Sequence, residues 1–373
     1  MAGLKDTIGK LSSQRRIPGP LPREMREGHD FGANPGALRM LTFVPEGLRP
    51  GAPLVVVLHG CTQHAEAFAE AGGWLALARR CGFAVLAPEQ TAANNPNLCF
   101  NWFLPGDTTR GKGEAASIRA MVAALTREHR LGEAYVTGLS AGGAMTAVML
   151  ATYPEVFAGG AVIAGLPYGV AGSVQQAMMA MQGHGGPDIE ELGAILRRAA
   201  PAPKRVPRLS IWHGGADMVV NTGNANRIAG QWAAAHGLSA TPDETNMLFG
   251  RTHAVWRDAA GEPAMKLHLL TAMGHGSPLA TLGADGLGQA APFMLETGVS
   301  STLEIARFWG IAPDVLTPTE VLTREEVEAR AAPSPPDKAH PIGDGVMAAV
   351  SPHVSQGIQD TIAKALRAAG LLS

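Results

Sequence analysis

Ser140, Asp217 and His275 each follow an apolar run, and glycine lies within three residues of each. A serine hydroxyl alone is a poor nucleophile. It needs a base to take its proton and a carboxylate to orient that base. The serine lies in Gly138-Leu139-Ser140-Ala141-Gly142, a G-x-S-x-G sequence. It falls between the apolar run Ala134-Tyr135-Val136-Thr137 and a stretch of small residues, 143–150, with helical character. This context predicts a sharp strand-to-helix turn. Glycine is expected at 138 and 142 because side chains there would meet neighbouring backbone. Asp217 follows the run 207–213 after Gly214-Gly215, and His275 sits between two glycines after the run 265–270. Serine, acid and histidine thus succeed one another along the chain, each in a loop after a strand.

Other residues compete for these roles. His59 also ends an apolar run, but it precedes the serine and suits the loop that would hold an oxyanion. His213 ends another, but it precedes the acid. Asp107 and Glu114 come before the serine and are expected to pair with Arg110 or Lys112. A developing oxyanion needs backbone N–H donors. Ala141, directly after the serine, supplies one, and Cys61 in His59-Gly60-Cys61-Thr62-Gln63 is placed to supply the other.

The elements that must position these residues are legible as apolar runs. Pro53–Gly60 and Gly82–Pro88 are continuous, the pattern of strands buried on both faces of a sheet. Further strands are expected at 38–45, 159–165, 207–213 and 265–270, with two strands around Ala260-Gly261-Glu262. Helices are expected over about 65–80, 114–129 and 188–200, with a closing helix over 293–309. Strands alternating with helices predict an α/β fold with a doubly wound, mostly parallel sheet. Residues 1–37 read as an N-terminal arm and linker, 38–310 as the catalytic domain, and 311–373 as a linker, with one short charged helix near 323–330, followed by an amphipathic helix over 352–370. The insertion 166–205, with Met178, Met179 and Met181, fits either a cap over the site or extra core packing.

The chain has 373 residues, 46% of them hydrophobic, and a net charge of -2. That balance gives no case for nucleic acid as a partner. No run is long and apolar enough to span a membrane. The first residues lack a signal-peptide core, which predicts a cytoplasmic protein. Three cysteines, Cys61, Cys81 and Cys99, fit no common zinc spacing, and no metal or cofactor is expected. The cysteines near the expected site, Cys61 and Cys99, lie in loops at the ends of neighbouring strands. Oligomeric state has no signature here.

Several motifs together resemble the esterase family of polyhydroxybutyrate depolymerases, related to feruloyl and acetylxylan esterases. They are His59-Gly60-Cys61-Thr62-Gln63, Pro88-Glu89-Gln90, Cys99-Phe100-Asn101-Trp102-Phe103, Gly111-Lys112-Gly113-Glu114 and Gly138–Met145, with His213–Asp217 and Gly274-His275-Gly276 resembling the acid and base loops. The resemblance spans about 40–310. It implies the α/β-hydrolase fold, a Ser140–Asp217–His275 triad, and a small or polymeric ester as substrate. It places Trp102 near that substrate, with Gln63, Phe103 and Leu139 as further candidates, and allows a Cys61–Cys99 disulfide. The family often has an aromatic residue shortly after the histidine, where Ser277-Pro278 stands here. The expected activity is hydrolysis of short hydroxyalkanoate esters. A carbohydrate esterase, an acyltransferase and a non-catalytic granule or scaffold protein are the alternatives.

Overall fold

The computed structural model describes residues 24–201, 205–283 and 285–316. In chain order the elements begin with β1 (Arg26–Gly28), β2 (Arg39–Phe43), β3 (Leu54–Leu58), α1 (Ala65–Ala71), α2 (Trp74–Cys81) and β4 (Ala84–Glu89). Next come α3 (Pro105–Thr108), α4 (Gly113–His129), β5 (Ala134–Leu139), α5 (Ala141–Thr152) and β6 (Phe157–Ile163). The insertion contributes α6 (Val174–Met181) and α7 (Ile189–Ala199), followed by β7 (Arg208–Gly214) and α8 (Gly223–His236). The chain continues through β8 (Glu244–Leu248), β9 (Arg251–Arg257), β10 (Pro263–Leu270), β11 (Ser277–Leu279), β12 (Met294–Glu296) and α9 (Ser301–Trp309).

Among the described residues, ten strands form one sheet in the order β1-β2-β4-β3-β5-β6-β7-β10-β9-β8. The middle six, β4 to β10, run parallel, and antiparallel pairs close both edges. β3 shows why its sequence is apolar throughout. Leu54, Val56 and Leu58 pack into the core on one face, Val55 and Val57 into the core on the other, and all five are fully buried. Each such side chain stabilises the fold by roughly 1.5–3 kcal/mol. α1, α2 and α9 cover one face; α4, α5 and α8 cover the other. Side chains of α6 and α7, among them Ala177, Ala180, Leu192 and Leu196, join that second core.

Four expectations change. The helix expected over 65–80 is two helices, broken at Gly72-Gly73. Gly73 has φ 80°, and a Cβ there would lie 2.8 Å from the backbone nitrogen of Gly288. Part of the expected N-terminal linker is strand β1, paired antiparallel with β2. The hairpin region holds three strands, because β8 pairs with β9 ahead of the Gly261 turn. The closing helix starts only at Ser301, and Met294–Glu296 is a strand paired with β11. The helices expected near 323–330 and 352–370 lie outside the described residues, as does the first part of the N-terminal arm.

Candidate active site

The parallel strands end along one edge of the sheet, and the candidate residues gather there. Ser140 follows β5 directly. Its N–H donates to the Ile163 carbonyl at 2.9 Å, and its backbone sits at φ 57°, ψ -117°. A residue with a side chain rarely adopts this conformation and is held in it at a cost. The glycines around it allow the turn to close. A Cβ at Gly142 would lie 2.1 Å from the Leu58 carbonyl oxygen, and one at Gly138 would lie 2.4 Å from the Gly142 oxygen. The first N–H groups of α5 have no partner within the helix, so the Ala141 N–H and the positive end of the helix dipole stand beside the serine.

Asp217 lies in the loop after β7, almost wholly buried. One carboxylate oxygen, Oδ1, accepts the N–H groups of Val219 and Val220, each at 2.8 Å. The other, Oδ2, accepts from His275 Nδ1 at 2.7 Å. His213 Nε2 lies 3.3 Å from the same oxygen and 2.9 Å from the Val220 carbonyl. Burial opposes charge on Asp217, but the hydrogen bonds from both histidines and from Val220 outweigh it. They hold the carboxyl well below the usual carboxylate range. His275 therefore faces a fixed anion on Nδ1, the arrangement that orients an imidazole as a base. The Ser140 hydroxyl has no hydrogen bond to His275 among the described residues. Such contacts often tighten only in the substrate complex.

The loop after β3 is braced from several sides. The Gly60 N–H donates to Gln63 Oε1 at 2.9 Å, and the Thr62 N–H to the Asn97 carbonyl at 2.8 Å. Cys61 forms a disulfide with Cys99. The Cys61 N–H has no acceptor among the described residues. Close contact joins this loop to the elbow, since a Cβ on Gly60 would lie 3.6 Å from Ser140 Cβ. His59 anchors the start of the loop. Its Nε2 accepts the Gln90 N–H at 3.1 Å, so Nδ1 carries the hydrogen that meets the Gly60 carbonyl at 2.7 Å. Burial pushes its pKa down to about 4, which keeps the ring neutral.

Behind this loop sits Glu114, fully buried. Its carboxyl accepts from Gln90 Nε2 at 2.5 Å and from the Asn101 N–H at 2.9 Å. The expected pairing of Glu114 with Arg110 or Lys112 is not found; Arg110 pairs with Glu155 instead. Burial, reinforced by the Asp107 charge, raises the Glu114 pKa to about 8 against the pull of its hydrogen-bond donors.

The other expected substrate contacts divide. Leu139, directly before Ser140, is buried in the core. The Gln63 amide braces the loop, with Nε2 3.3 Å from the Pro292 carbonyl. Trp102 is mostly buried and meets half-buried Phe103 edge-on at 5.3 Å. Phe293 escaped the sequence reading. Its ring meets the His275 ring edge-on at 5.9 Å, and its carbonyl accepts the Ser277 N–H at 2.8 Å. An aromatic neighbour for the histidine thus comes from a segment about twenty residues downstream. The signal for it is Gly276, where a Cβ would lie 2.6 Å from the Phe293 carbonyl oxygen. Among the described residues no group of three or more His, Cys, Asp or Glu could hold a metal ion. No described helix is long and apolar enough to cross a membrane.

Residues 40–246 match the family described as esterase PHB depolymerase. The chain belongs to that family. This esterase is 44% identical over 292 residues to poly(3-hydroxyalkanoate) depolymerase C of Paucimonas lemoignei, covering 76% of the chain and 69% of that relative. It is 30% identical to feruloyl esterase B of Talaromyces stipitatus, over 65% of the chain and 70% of the relative. Among solved structures, the acetyl xylan esterase from Aspergillus awamori superposes with a TM-score of 0.65 at 23% identity, covering 77% of the chain and 99% of the other. That likeness is one of fold, the α/β-hydrolase arrangement. The protein is a carboxylic ester hydrolase.

Proposed function

We propose that this esterase cleaves neutral hydroxyalkanoate esters, including polyhydroxybutyrate-type oligomers and polymer, through an acyl-enzyme on Ser140. The observation that carries the mechanism is the 2.7 Å bond from His275 Nδ1 to Asp217, set on the sheet edge that bears the Ser140 elbow. His275 Nε2 takes the Ser140 proton as Oγ attacks the ester carbonyl. The N–H groups of Cys61 and Ala141 receive the oxyanion. His275 then protonates the departing alkoxide and activates the water that releases the acid. Asp217 stays ionised throughout and stabilises the imidazolium.

The substrate class rests on the 44% relative. The Cys61–Cys99 disulfide supports an oxidising compartment for this protein rather than the cytoplasm.

The test is a hydrolysis panel of 3-hydroxybutyrate oligomers, feruloyl esters, acetylated sugars and p-nitrophenyl esters, run on the wild type and Ser140→Ala. The expected result is preference for the hydroxybutyrate oligomers. Ser140→Ala should fold normally and lose at least about three orders of magnitude in kcat. Preference for feruloyl or sugar esters overturns the substrate, and near-normal turnover by folded Ser140→Ala overturns the mechanism.

A further inference from the structure

The hairpin joining β8 to β9 ends in Met247-Leu248-Phe249-Gly250, and these side chains are unusually bare. Phe249 is 97% exposed, Met247 74% and Leu248 66%. Phe249 and Gly250 both have positive φ, 50° and 73°. A two-residue turn of this kind favours Asn-Gly, so a phenylalanine here is held at the tip against the local backbone preference.

The tip belongs to the candidate active-site edge. β9 runs antiparallel to β10, with Arg251 opposite Leu270, so the turn lies where the parallel strands end. The Thr271 N–H, at the start of the His275 loop, donates to the Gly250 carbonyl at 2.9 Å. The surface continues from there. Gly215 packs on Thr271, and three residues later Met218, next to Asp217, is 80% exposed. The Asn221 N–H of the same loop donates to the Met181 carbonyl, which ends α6, where Met179 is 48% exposed. Exposed apolar side chains thus stand on three segments that flank the acid and base loops and are joined through backbone contacts.

The ridge carries no charge at its contact points. Thr245–Gly250 and Met218–Thr222 contain no acidic or basic residue; Arg251, directly after the turn, is mostly buried and paired with Glu304, and the Arg257–Glu244 pair lies at the hairpin's far end. With Arg251 held by Glu304, the described residues of the ridge offer no unpaired cation to an anionic lipid headgroup. An exposed apolar patch beside a site for esters fits a surface that is itself the substrate.

We propose that Phe249, Leu248, Met247 and Met218 form an adsorption ridge that seats the enzyme on a solid, uncharged aliphatic polyester with the active-site mouth facing it. The proposal rests on the polyester reading above, but adsorption is read without turnover, so the two can fail separately. The experiment measures binding isotherms on amorphous polyhydroxybutyrate particles, using the wild type, Phe249→Asn and the Phe249→Asn/Met218→Gln double variant. Asparagine suits the left-handed turn position, so folding should survive the change. The kcat/KM on soluble p-nitrophenyl butyrate is measured in parallel. Adsorption should weaken at least about tenfold in the double variant, film erosion should slow with it, and soluble turnover should stay within about twofold. Unchanged adsorption overturns the proposal. So does an equal loss on soluble ester, which would make the hairpin a support for the His275 loop. Equally tight wild-type binding to neutral phosphatidylcholine vesicles, or a wild-type dimer that Phe249→Asn dissociates, also overturns it by assigning the ridge to a lipid surface or a second copy.

Discussion

His213 and His275 both approach the Asp217 carboxylate, and their surroundings differ. His213 is fully buried, and its Nε2 is taken up by the Val220 carbonyl. His275 gives Nδ1 to Asp217, and in the proposed mechanism its Nε2 is the base. His275→Ala should therefore lower kcat by roughly three orders of magnitude or more with little change in thermal midpoint. His213→Ala should do the reverse. It removes a buried donor from Val220 and Asp217, so stability should fall by about 1–3 kcal/mol while most turnover survives below the midpoint. Kinetics and thermal unfolding on the two variants check this. Loss of turnover confined to His213→Ala would reassign the base. Chain order alone separated these histidines in the sequence, but it gave no hint that the rejected one braces the acid.

In the proposed mechanism the loop between β3 and α1 presents one N–H beside a strained serine, and the fold ties that loop down. The Cys61–Cys99 disulfide closes a loop of 38 residues, worth roughly 3–4 kcal/mol in a chain-entropy account. Replacing both cysteines by serine should lower stability by up to that amount. It should also lower kcat more than it raises KM, because in the proposed mechanism the Cys61 N–H acts on the transition state. Denaturant unfolding and steady-state kinetics measure both effects. Thiol titration of the unfolded, unreduced wild type should find Cys81 alone. Elements of this kind were partly legible. Continuous apolar runs marked the buried strands, and Gly138 and Gly142 marked the elbow, because each signal is local. The break at Gly72-Gly73 was not legible. It depends on Gly288, more than two hundred residues away, lying where a Cβ would be. Phe293 was missed for the same reason: pairing of β11 with β12 brings it to His275, and short strands leave little periodicity.

Across the whole molecule, stability should bend with pH around the buried groups. His59 is neutral in the fold, with a pKa near 4, and gains a proton more readily when unfolded. Its contribution is lost as pH falls from about 6.5 toward 4. Glu114 works in the other sense. Its folded pKa of about 8 stands above the unfolded value of 4.5, so between these limits the native state binds the extra proton. Stability from this group is complete below about pH 4.5 and is lost as pH rises through 8, by an amount on the order of a few kcal/mol. The group is central to the fold: Gln90 and Asn101 donate to it, and through Gln90 it is joined to His59 and the Cys61 loop. Glu114→Gln removes the titration but places an amide NH2 against one of two donors, so the variant should be less stable throughout. What should disappear is the slope. Urea unfolding between pH 5 and 8 should show wild-type stability falling more steeply than that of Glu114→Gln. Parallel curves would mean that Glu114 is already ionised in the fold, with its two hydrogen bonds outweighing the cost of burial.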